Sequence, residues 1–87
     1  MWHLPLPDDY RRVLDSEVAD LRNTASGGGG GTLTAGIFHS EFAGDTKWAH
    51  LDIAGTGWNC QATGFPANGG SAFGLKTMVA ACVAWRG

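Results

Sequence analysis

Apolar and polar residues alternate with helical spacing near the N-terminus. The apolar positions that share one helix face are Tyr10, Val13, Leu14, Val18 and Leu21. This pattern predicts an amphipathic helix with one buried side. Asp8 and Asp9 stand at its start, where one serves as N-cap and the other is favoured by the helix dipole. The preceding residues, Trp2 to Leu6, are predicted to form a short strand that Pro7 closes.

A second helix and a second strand are predicted in the middle of the chain. The helix runs from about Thr32 to Ala43, with Gly44 as its C-terminal stop. Its apolar side consists of Leu33, Ile37, Phe38 and Phe42. Five successive glycines, Gly27 to Gly31, precede it and predict a loop, because they cannot hold a regular element without a large entropy cost. Lys47 to Ile53 is predicted to be a strand.

The C-terminal segment predicts a helix that needs cover on every side. Thr56 to Gly70 is rich in turn residues and is predicted to be irregular. Ser71 is the expected N-cap of a helix that ends near Trp85. Apart from Lys76 and Thr77, this helix is apolar or small all round. Because the other elements are too few to cover such a helix, the chain is expected to belong to a larger body.

The predicted order is strand, helix, helix, strand, helix, which indicates an α/β fold. Two strands do not make a stable sheet alone, so this arrangement also points to a fragment of a larger domain.

Composition excludes several classes of function. The 87 residues have a formal net charge of -2, which argues against a general nucleic-acid binder. No stretch of 18 apolar residues exists, so no membrane span is expected, and the N-terminus lacks the pattern of a signal peptide. The two cysteines, Cys60 and Cys82, are predicted to be reduced thiols in a cytoplasmic protein.

The glycine run does not match a nucleotide-binding loop. A phosphate-binding Gly-x-x-x-x-Gly-Lys-Ser/Thr motif needs a lysine, and here Gly31 is followed by Thr32 and Leu33. A backbone anion site at the start of the following helix stays physically open, because free N–H groups and the helix dipole point there.

A metal site is not expected in this chain. His50 and Asp52 are two residues apart on the predicted strand and would share a face. A site would need a further ligand, such as His39 or Cys60, and the spacing matches no zinc pattern. His50 is therefore predicted to be a hydrogen-bonded structural residue, and Asp52 a buried carboxylate satisfied by backbone or a neighbouring side chain.

Covalent and acid–base catalysis find little support. None of Ser26, Ser40 and Ser71 lies in a Gly-x-Ser-x-Gly elbow. Cys60 lacks the flanking signature of a nucleophile, and a carboxylate pair of Asp45 and Asp52 is conceivable but unsupported. The four tryptophans are too separated for a binding face and predict core and interface packing.

Several motifs in order resemble the leucyl (cytosol) aminopeptidases. The run Trp48-Ala-His-Leu-Asp-Ile-Ala-Gly55 closely resembles a block of that family. Val18-Ala-Asp-Leu-Arg-Asn23 is similar to its Val-Ala-Asp-Leu-Lys-Asn. Gly30-Gly-Thr-Leu-Thr-Ala-Gly-Ile-Phe38 resembles its Gly-Gly-x-Ile-Thr-Ala-Ala-x-Phe helix. Trp2 to Leu6 and Gly64 to Val79 resemble flanking segments, so the resemblance covers nearly the whole chain.

The resemblance implies a two-metal peptidase that removes residues from peptide N-termini. The full-length enzymes of the family bind two divalent ions (zinc, manganese or magnesium) and assemble as hexamers. By resemblance, Ala54 and Gly57 line the pocket for the substrate's first side chain, and Thr24 lines the next pocket. The family's metal-binding block, Asn-Thr-Asp-Ala-Glu-Gly-Arg, is absent from these residues. No catalytic residue and no bound ion is therefore expected in this chain.

Three hypotheses follow, of which the third is a small anion or nucleotide binder that uses the glycine loop. The first is the C-terminal portion, residues 1–87, of a mixed-sheet aminopeptidase catalytic domain, which supplies pocket wall and packing surface and is inactive alone. Its partners are the remainder of that domain, other copies of the chain and, in the whole enzyme, a peptide substrate. The second is a non-enzymatic module, derived from that fold, that associates with partners or itself through the last helix.

Overall fold

The computed structural model describes residues 1–25, 27–59 and 69–87 as two units. The first unit is Met1–Leu51 and the second is Asp52–Gly87. The first contains a 3-10 helix, Asp8–Leu14, and a helix α1, Gly31–Ala43. The second contains a short strand pair, β1 (Trp58–Asn59) and β2 (Gly69–Gly70), followed by a helix α2, Leu75–Ala84. The described part of the chain is thus rich in helix.

The first helix is shorter and tighter than the sequence predicts. It ends at Leu14, and Asp15 is already extended, with φ -64° and ψ 142°. The Ser16 hydroxyl accepts hydrogen bonds from the backbone N–H groups of Val18 and Ala19, at 3.3 and 3.1 Å. Such side-chain bonds offer the backbone an alternative to a continuing helix. The prediction that a helix continues to Leu21 is therefore wrong.

The start of this helix also differs from the prediction. Pro7 is the N-cap and makes no side-chain hydrogen bond, so neither aspartate is the cap. Asp8 and Asp9 both lie in the first turn, where a negative charge suits the helix dipole.

Helix α1 confirms the predicted central helix. It follows Gly30, which has a φ of 66°, and ends at Ala43 before Gly44, which has a φ of 54°. Both glycines adopt a left-handed φ that disfavours other residues. The helix packs against the 3-10 helix, and the small core of this unit consists of Leu14, 1% exposed, and Ile37, 6% exposed.

Neither predicted long strand is present. Trp2 to Leu6 and Lys47 to Ile53 have no strand pairing in the structure. A strand needs a hydrogen-bonded neighbour, and the described residues place none beside either segment. Leu6 and His50 lie instead beside Gly36 of α1: a Cβ built there would lie 2.9 Å from Leu6 Cδ2 and 3.8 Å from His50 Cδ2.

The described sheet of the second unit consists of β1 and β2, which pair antiparallel over two residues each. Trp58 pairs with Gly70 and Asn59 with Gly69. This pairing lies within the segment predicted to be irregular, of which residues 60–68 are outside the described residues. A larger mixed sheet is not confirmed by the described residues.

Helix α2 is shorter than predicted. Its N-cap is Gly74, with φ 82°, rather than Ser71, and it ends at Ala84. No residue of α2 is buried. Its large apolar side chains and that of the preceding Phe73 are between 55% and 78% exposed, namely Phe73, Leu75, Met78, Val79 and Val83. The expectation that this helix lacks cover is therefore met within the described residues.

The predicted core role of the tryptophans is wrong for this structure. Trp2, Trp48, Trp58 and Trp85 are all at least 38% exposed. No helix in the described ranges has the length and apolarity needed to cross a membrane.

Candidate substrate-pocket residues

Ala54 and Gly57 lie together in one tight turn of the second unit. The backbone N–H groups of Thr56 and Gly57 both donate to the Ile53 carbonyl oxygen, at 3.0 and 2.6 Å. At the start of the turn, the Ala54 N–H donates to Asp52 Oδ1 at 2.8 Å. Asp52 is therefore satisfied by backbone, as predicted, but it is exposed rather than buried.

Gly57 is required by the turn itself. A Cβ at this position would lie 2.9 Å from the Ile53 carbonyl oxygen and 3.3 Å from Ile53 Cδ1. The nearer atom belongs to the backbone, so it cannot move aside as a flexible side chain can. The sequence suggests only that a small residue here leaves room in a pocket. It does not reveal that the local backbone also excludes a side chain.

Ser71 connects this turn to the segment before α2. Its backbone N–H donates to the Gly57 carbonyl oxygen at 2.9 Å, and its hydroxyl donates to the Thr56 carbonyl oxygen. The same hydroxyl accepts a hydrogen bond from the Phe73 N–H at 3.2 Å. The role of Ser71 is thus to hold backbone in place, and the sequence pattern indicated it only as a helix cap.

Thr24 lies in the first unit, in the wall of an open cavity of about 570 Å³. The other residues that line this cavity are Ser16, Ala19, Leu21, Arg22, Asn23, Ala25, Phe38 and Phe42. Thr24 is exposed, and the phenylalanines come from α1. The structure therefore brings Ala54 and Gly57 together in the second unit and places Thr24 in a cavity of the first unit.

Among the described residues, the remaining catalytic candidates have structural hydrogen bonds or lie at the surface. The Ser40 hydroxyl donates to the Ile37 carbonyl oxygen at 2.7 Å, as a helix serine commonly does. Ser26 and Cys60 lie outside the described residues, and Cys82 is an exposed thiol on α2. Arg11 pairs with Glu41 at 2.6 Å and with Asp15 at 2.9 Å, so these carboxylates belong to surface ion pairs.

The described residues do not fit a two-metal centre. Within residues 1–25, 27–59 and 69–87, no group of three or more histidine, cysteine, aspartate or glutamate side chains could hold a metal ion. Two bridged ions need several carboxylate or imidazole ligands. Among these residues, His39 and His50 form a stacked ring pair, with ring centroids 5.1 Å apart.

Comparison with known proteins shows the family to which this chain belongs. The sequence profile of the cytosol aminopeptidase family, catalytic domain, matches residues 1–79. This chain belongs to the cytosol aminopeptidase family. A protein of Koribacter versatilis named "probable cytosol aminopeptidase" is 44% identical over 79 residues, which are 91% of this chain and 15% of that protein.

Other relatives give the same picture. One from Cenarchaeum symbiosum is 49% identical over 79 residues, 87% of this chain and 16% of the relative. One from Solibacter usitatus is 43% identical over 86 residues, 99% of this chain and 18% of the relative. Both have the same printed name as the Koribacter protein. The chain therefore spans less than a fifth of the length of these cytosol aminopeptidases.

Proposed function

We propose that this chain is the C-terminal portion of a cytosol aminopeptidase catalytic domain and supplies part of the wall of its substrate pocket. The whole enzyme releases N-terminal amino acids from peptides. The observation that supports this role most directly is the turn of residues 53–57 within a family match over residues 1–79. Hydrogen bonds hold the backbone of the turn, and its two proposed pocket residues, Ala54 and Gly57, are the two smallest amino acids.

This wall is proposed to select substrates by the size and shape of their first side chain. Ala54 is exposed, and Gly57 has no side chain, so the turn presents a shallow apolar surface. A substrate side chain that packs there removes apolar area from water, at about 25 cal/mol per Å². Small wall residues leave room for a bulky apolar first residue, such as leucine or methionine. Thr24 is proposed to line the pocket for the next residue of the peptide.

The chain is proposed to be inactive alone. When they are bound, the two divalent ions used by the family (zinc, manganese or magnesium) would activate the nucleophile. The described residues of this chain do not fit such a centre, so their ligands and the catalytic groups are proposed to lie in the remainder of the domain. This chain then orients substrate and excludes water from one side of the pocket.

Exposure of α2 supports assembly with a larger body. A fully buried leucine, valine or methionine side chain contributes about 1.5–3 kcal/mol relative to an exposed one. The large apolar residues of α2 receive less than half of that benefit within the described residues, because each stays at least 55% exposed. The proposed partner is the remainder of the catalytic domain, within a homo-oligomer that is a hexamer in the family. A cytoplasmic location is proposed from the same family membership.

The test is a reconstitution of activity. Hydrolysis of leucine amide is measured with added manganese or zinc, for the 87-residue chain alone and for the chain joined to the preceding catalytic-domain segment of a relative. The joined protein is expected to hydrolyse the substrate and the chain alone is not. Activity of the chain alone, or an inactive joined protein that folds and binds the ions, contradicts the proposal.

The exposed α2 also favours a second candidate, a non-enzymatic module that associates through this helix. This function predicts that the chain alone forms a defined oligomer that melts cooperatively and has no peptidase activity with manganese. Sedimentation of the purified chain distinguishes the two functions, because a pocket-wall segment gains its order from the rest of the enzyme.

A further inference from the structure

The open cavity that Thr24 lines has one charged residue in its wall. Among the described residues that line it, Arg22 alone is ionisable, and the others are neutral polar or apolar. The cavity, of about 570 Å³, therefore presents a single positive charge. A positive charge in a concave site attracts anionic groups of a ligand. This feature is separate from the apolar selection proposed for Ala54 and Gly57.

The backbone of Arg22 is anchored on the core of the first unit. Its N–H donates to the Leu14 carbonyl oxygen at 2.8 Å, and Leu14 is 1% exposed. The chain thus folds back after the 3-10 helix and carries Arg22 and Thr24 to the cavity wall. An anchored backbone reduces the freedom that is lost when the side chain binds a ligand, so the ordering cost of binding is smaller.

Arg22 has no ion-pair partner among the described residues. By contrast, Arg11 pairs with Asp15 at 2.9 Å and with Glu41 at 2.6 Å. Because Arg22 is exposed, its guanidinium is in contact with water rather than with a carboxylate of the described part of the chain. A guanidinium binds a carboxylate through two parallel N–H···O hydrogen bonds, which orient the ligand as well as hold it.

The wall around Arg22 also offers apolar and neutral polar contacts. Phe38 and Phe42 line the same cavity, and their ring centroids lie 5.1 Å apart. Carbon atoms of a ligand that pack against these rings are removed from water, which is favourable. Asn23 and Thr24 add neutral hydrogen-bonding groups. The cavity therefore suits a peptide residue that has both carbon atoms to bury and a carboxylate.

We infer that Arg22 binds a carboxylate of the peptide substrate on the C-terminal side of the scissile bond. The inference rests on the proposed function, in which Thr24 lines the pocket for the second residue of the peptide, and it names the substrate class of that pocket. Arg22 and Thr24 line the same cavity. The carboxylate belongs to a glutamate side chain at the second residue or to the C-terminus of a dipeptide, and both sources share this chemistry.

The experiment measures kcat/KM of the joined enzyme for two matched pairs of peptides. Leucyl-glutamyl amide and leucyl-glutaminyl amide differ in the charge of the second side chain and hardly in its shape. Leucyl-alanine and leucyl-alanine amide differ in the terminal carboxylate. The ratio of the acidic to the neutral peptide is determined for each pair, and the pair whose ratio depends on Arg22 identifies the source of the carboxylate.

Matched variants decide whether Arg22 recognises the carboxylate. Arg22→Gln is expected to lower at least one ratio by about threefold or more, as the loss of a partly exposed ion pair predicts. A ratio cancels any general loss of active enzyme, so partial misfolding does not hide the effect. Arg22→Lys keeps the charge without the planar fork and is expected to restore part of the ratio. Arg12→Gln removes an exposed arginine that does not line this cavity, and it is expected to leave both ratios unchanged.

Leucine amide separates failure of this inference from failure of the proposed function. It has no carboxylate and no second residue, so its hydrolysis by the joined enzyme tests the proposed function alone. If leucine amide is hydrolysed but Arg22→Gln leaves both ratios unchanged, or Arg12→Gln lowers them equally, the inference is overturned and the proposed function stands. A folded joined enzyme that binds the ions and does not hydrolyse leucine amide contradicts both.

Discussion

Glycine occupies different positions of this chain for different physical reasons. Gly36 lies inside α1, where its φ is ordinary and where the absence of a side chain admits Leu6 and His50. Gly30 has a φ of 66° at the start of the same helix, and a Cβ there would meet only Tyr10 at 3.8 Å. Conformation therefore decides the cost at Gly30, whereas packing decides it at Gly36.

This contrast predicts opposite effects of alanine. Gly36→Ala is expected to raise the helix content of the chain, because alanine is favoured over glycine in a helix by about 1 kcal/mol and the Leu6 side chain can turn away. Gly30→Ala is expected to lower helix content, since a left-handed residue other than glycine costs about 1–2 kcal/mol. Circular dichroism at 222 nm during urea unfolding measures both. A loss of helix in Gly36→Ala would show that the Leu6 contact is rigid.

The turn of residues 53–57, proposed to line the substrate pocket, gives a second prediction at the residue scale. Gly57→Ala places a Cβ 2.9 Å from the Ile53 carbonyl oxygen and is expected to distort the turn. Gly55→Ala is the matched control, because a Cβ there has no neighbour within 4 Å. In the joined enzyme, kcat/KM for leucine amide is expected to fall about tenfold or more in Gly57→Ala and to stay within about twofold in Gly55→Ala, as a 1.4 kcal/mol loss predicts.

Ala54 tests the pocket assignment without disturbing the backbone. Ala54→Val adds two methyl groups to an exposed wall residue that contributes only its N–H to the turn. The ratio of kcat/KM for leucine amide to that for alanine amide is expected to fall, because a narrower pocket rejects the larger side chain by about 1–3 kcal/mol. An unchanged ratio would remove Ala54 from the pocket wall.

At the scale of elements, the junction of the 3-10 helix and α1 depends mainly on apolar packing. Leu14 is 1% exposed, whereas the Arg11 and Glu41 side chains of the ion pair are 37% and 35% exposed. Leu14→Ala is expected to lower the free energy of unfolding by about 2–5 kcal/mol. Glu41→Gln is expected to lower it by about 0–1 kcal/mol, because salt and water screen the pair. Urea unfolding of both variants of the joined enzyme compares these effects, and a larger loss in Glu41→Gln would contradict them.

Which elements could be predicted depends on where their stabilising contacts lie. Helix α1 was predictable because its pattern and its terminal Gly44 are local. Residues 2–6 and 47–53 do not form the strands that their pattern predicts, because a strand needs a hydrogen-bonded neighbour and the local sequence does not show whether one is present. The 3-10 helix ends early because the Ser16 hydroxyl bonds to backbone, a competition that apolar spacing does not display. Similarly, residue size pointed to Gly57, but only the backbone contact with Ile53 shows why it is glycine.

At the scale of the whole molecule, apolar exposure predicts weak stability of the isolated chain. Among the described residues, the buried apolar side chains are Leu14 and Ile37. So small a core does not offset the entropy of ordering the chain. The chain alone is expected to melt gradually, without a cooperative transition in scanning calorimetry, and the joined enzyme is expected to melt cooperatively. A sharp transition of the monomeric chain would contradict this expectation.

Two substitutions on α2 test whether other parts of the whole enzyme cover the apolar surface of this helix. Met78→Glu places a charge on the apolar surface of the helix and is expected to lower the melting temperature of the joined enzyme by several degrees, because a buried unpaired carboxylate is costly. Lys76→Glu introduces the same residue at a position that is already charged. It is expected to change the melting temperature of the joined enzyme little. Equal effects of both substitutions would indicate that α2 stays in water.

The hydrogen bonds of Ser71 have a consequence for how selectivity could be altered. Since this residue ties the Gly57 and Thr56 carbonyls to the chain entering α2, a force that displaces the helix is transmitted to the pocket turn. Substitutions far from the peptide, on the helix face that meets neighbouring structure, would then retune which amino acid is released. Directed evolution of such an enzyme should therefore sample that remote face as well as the pocket lining.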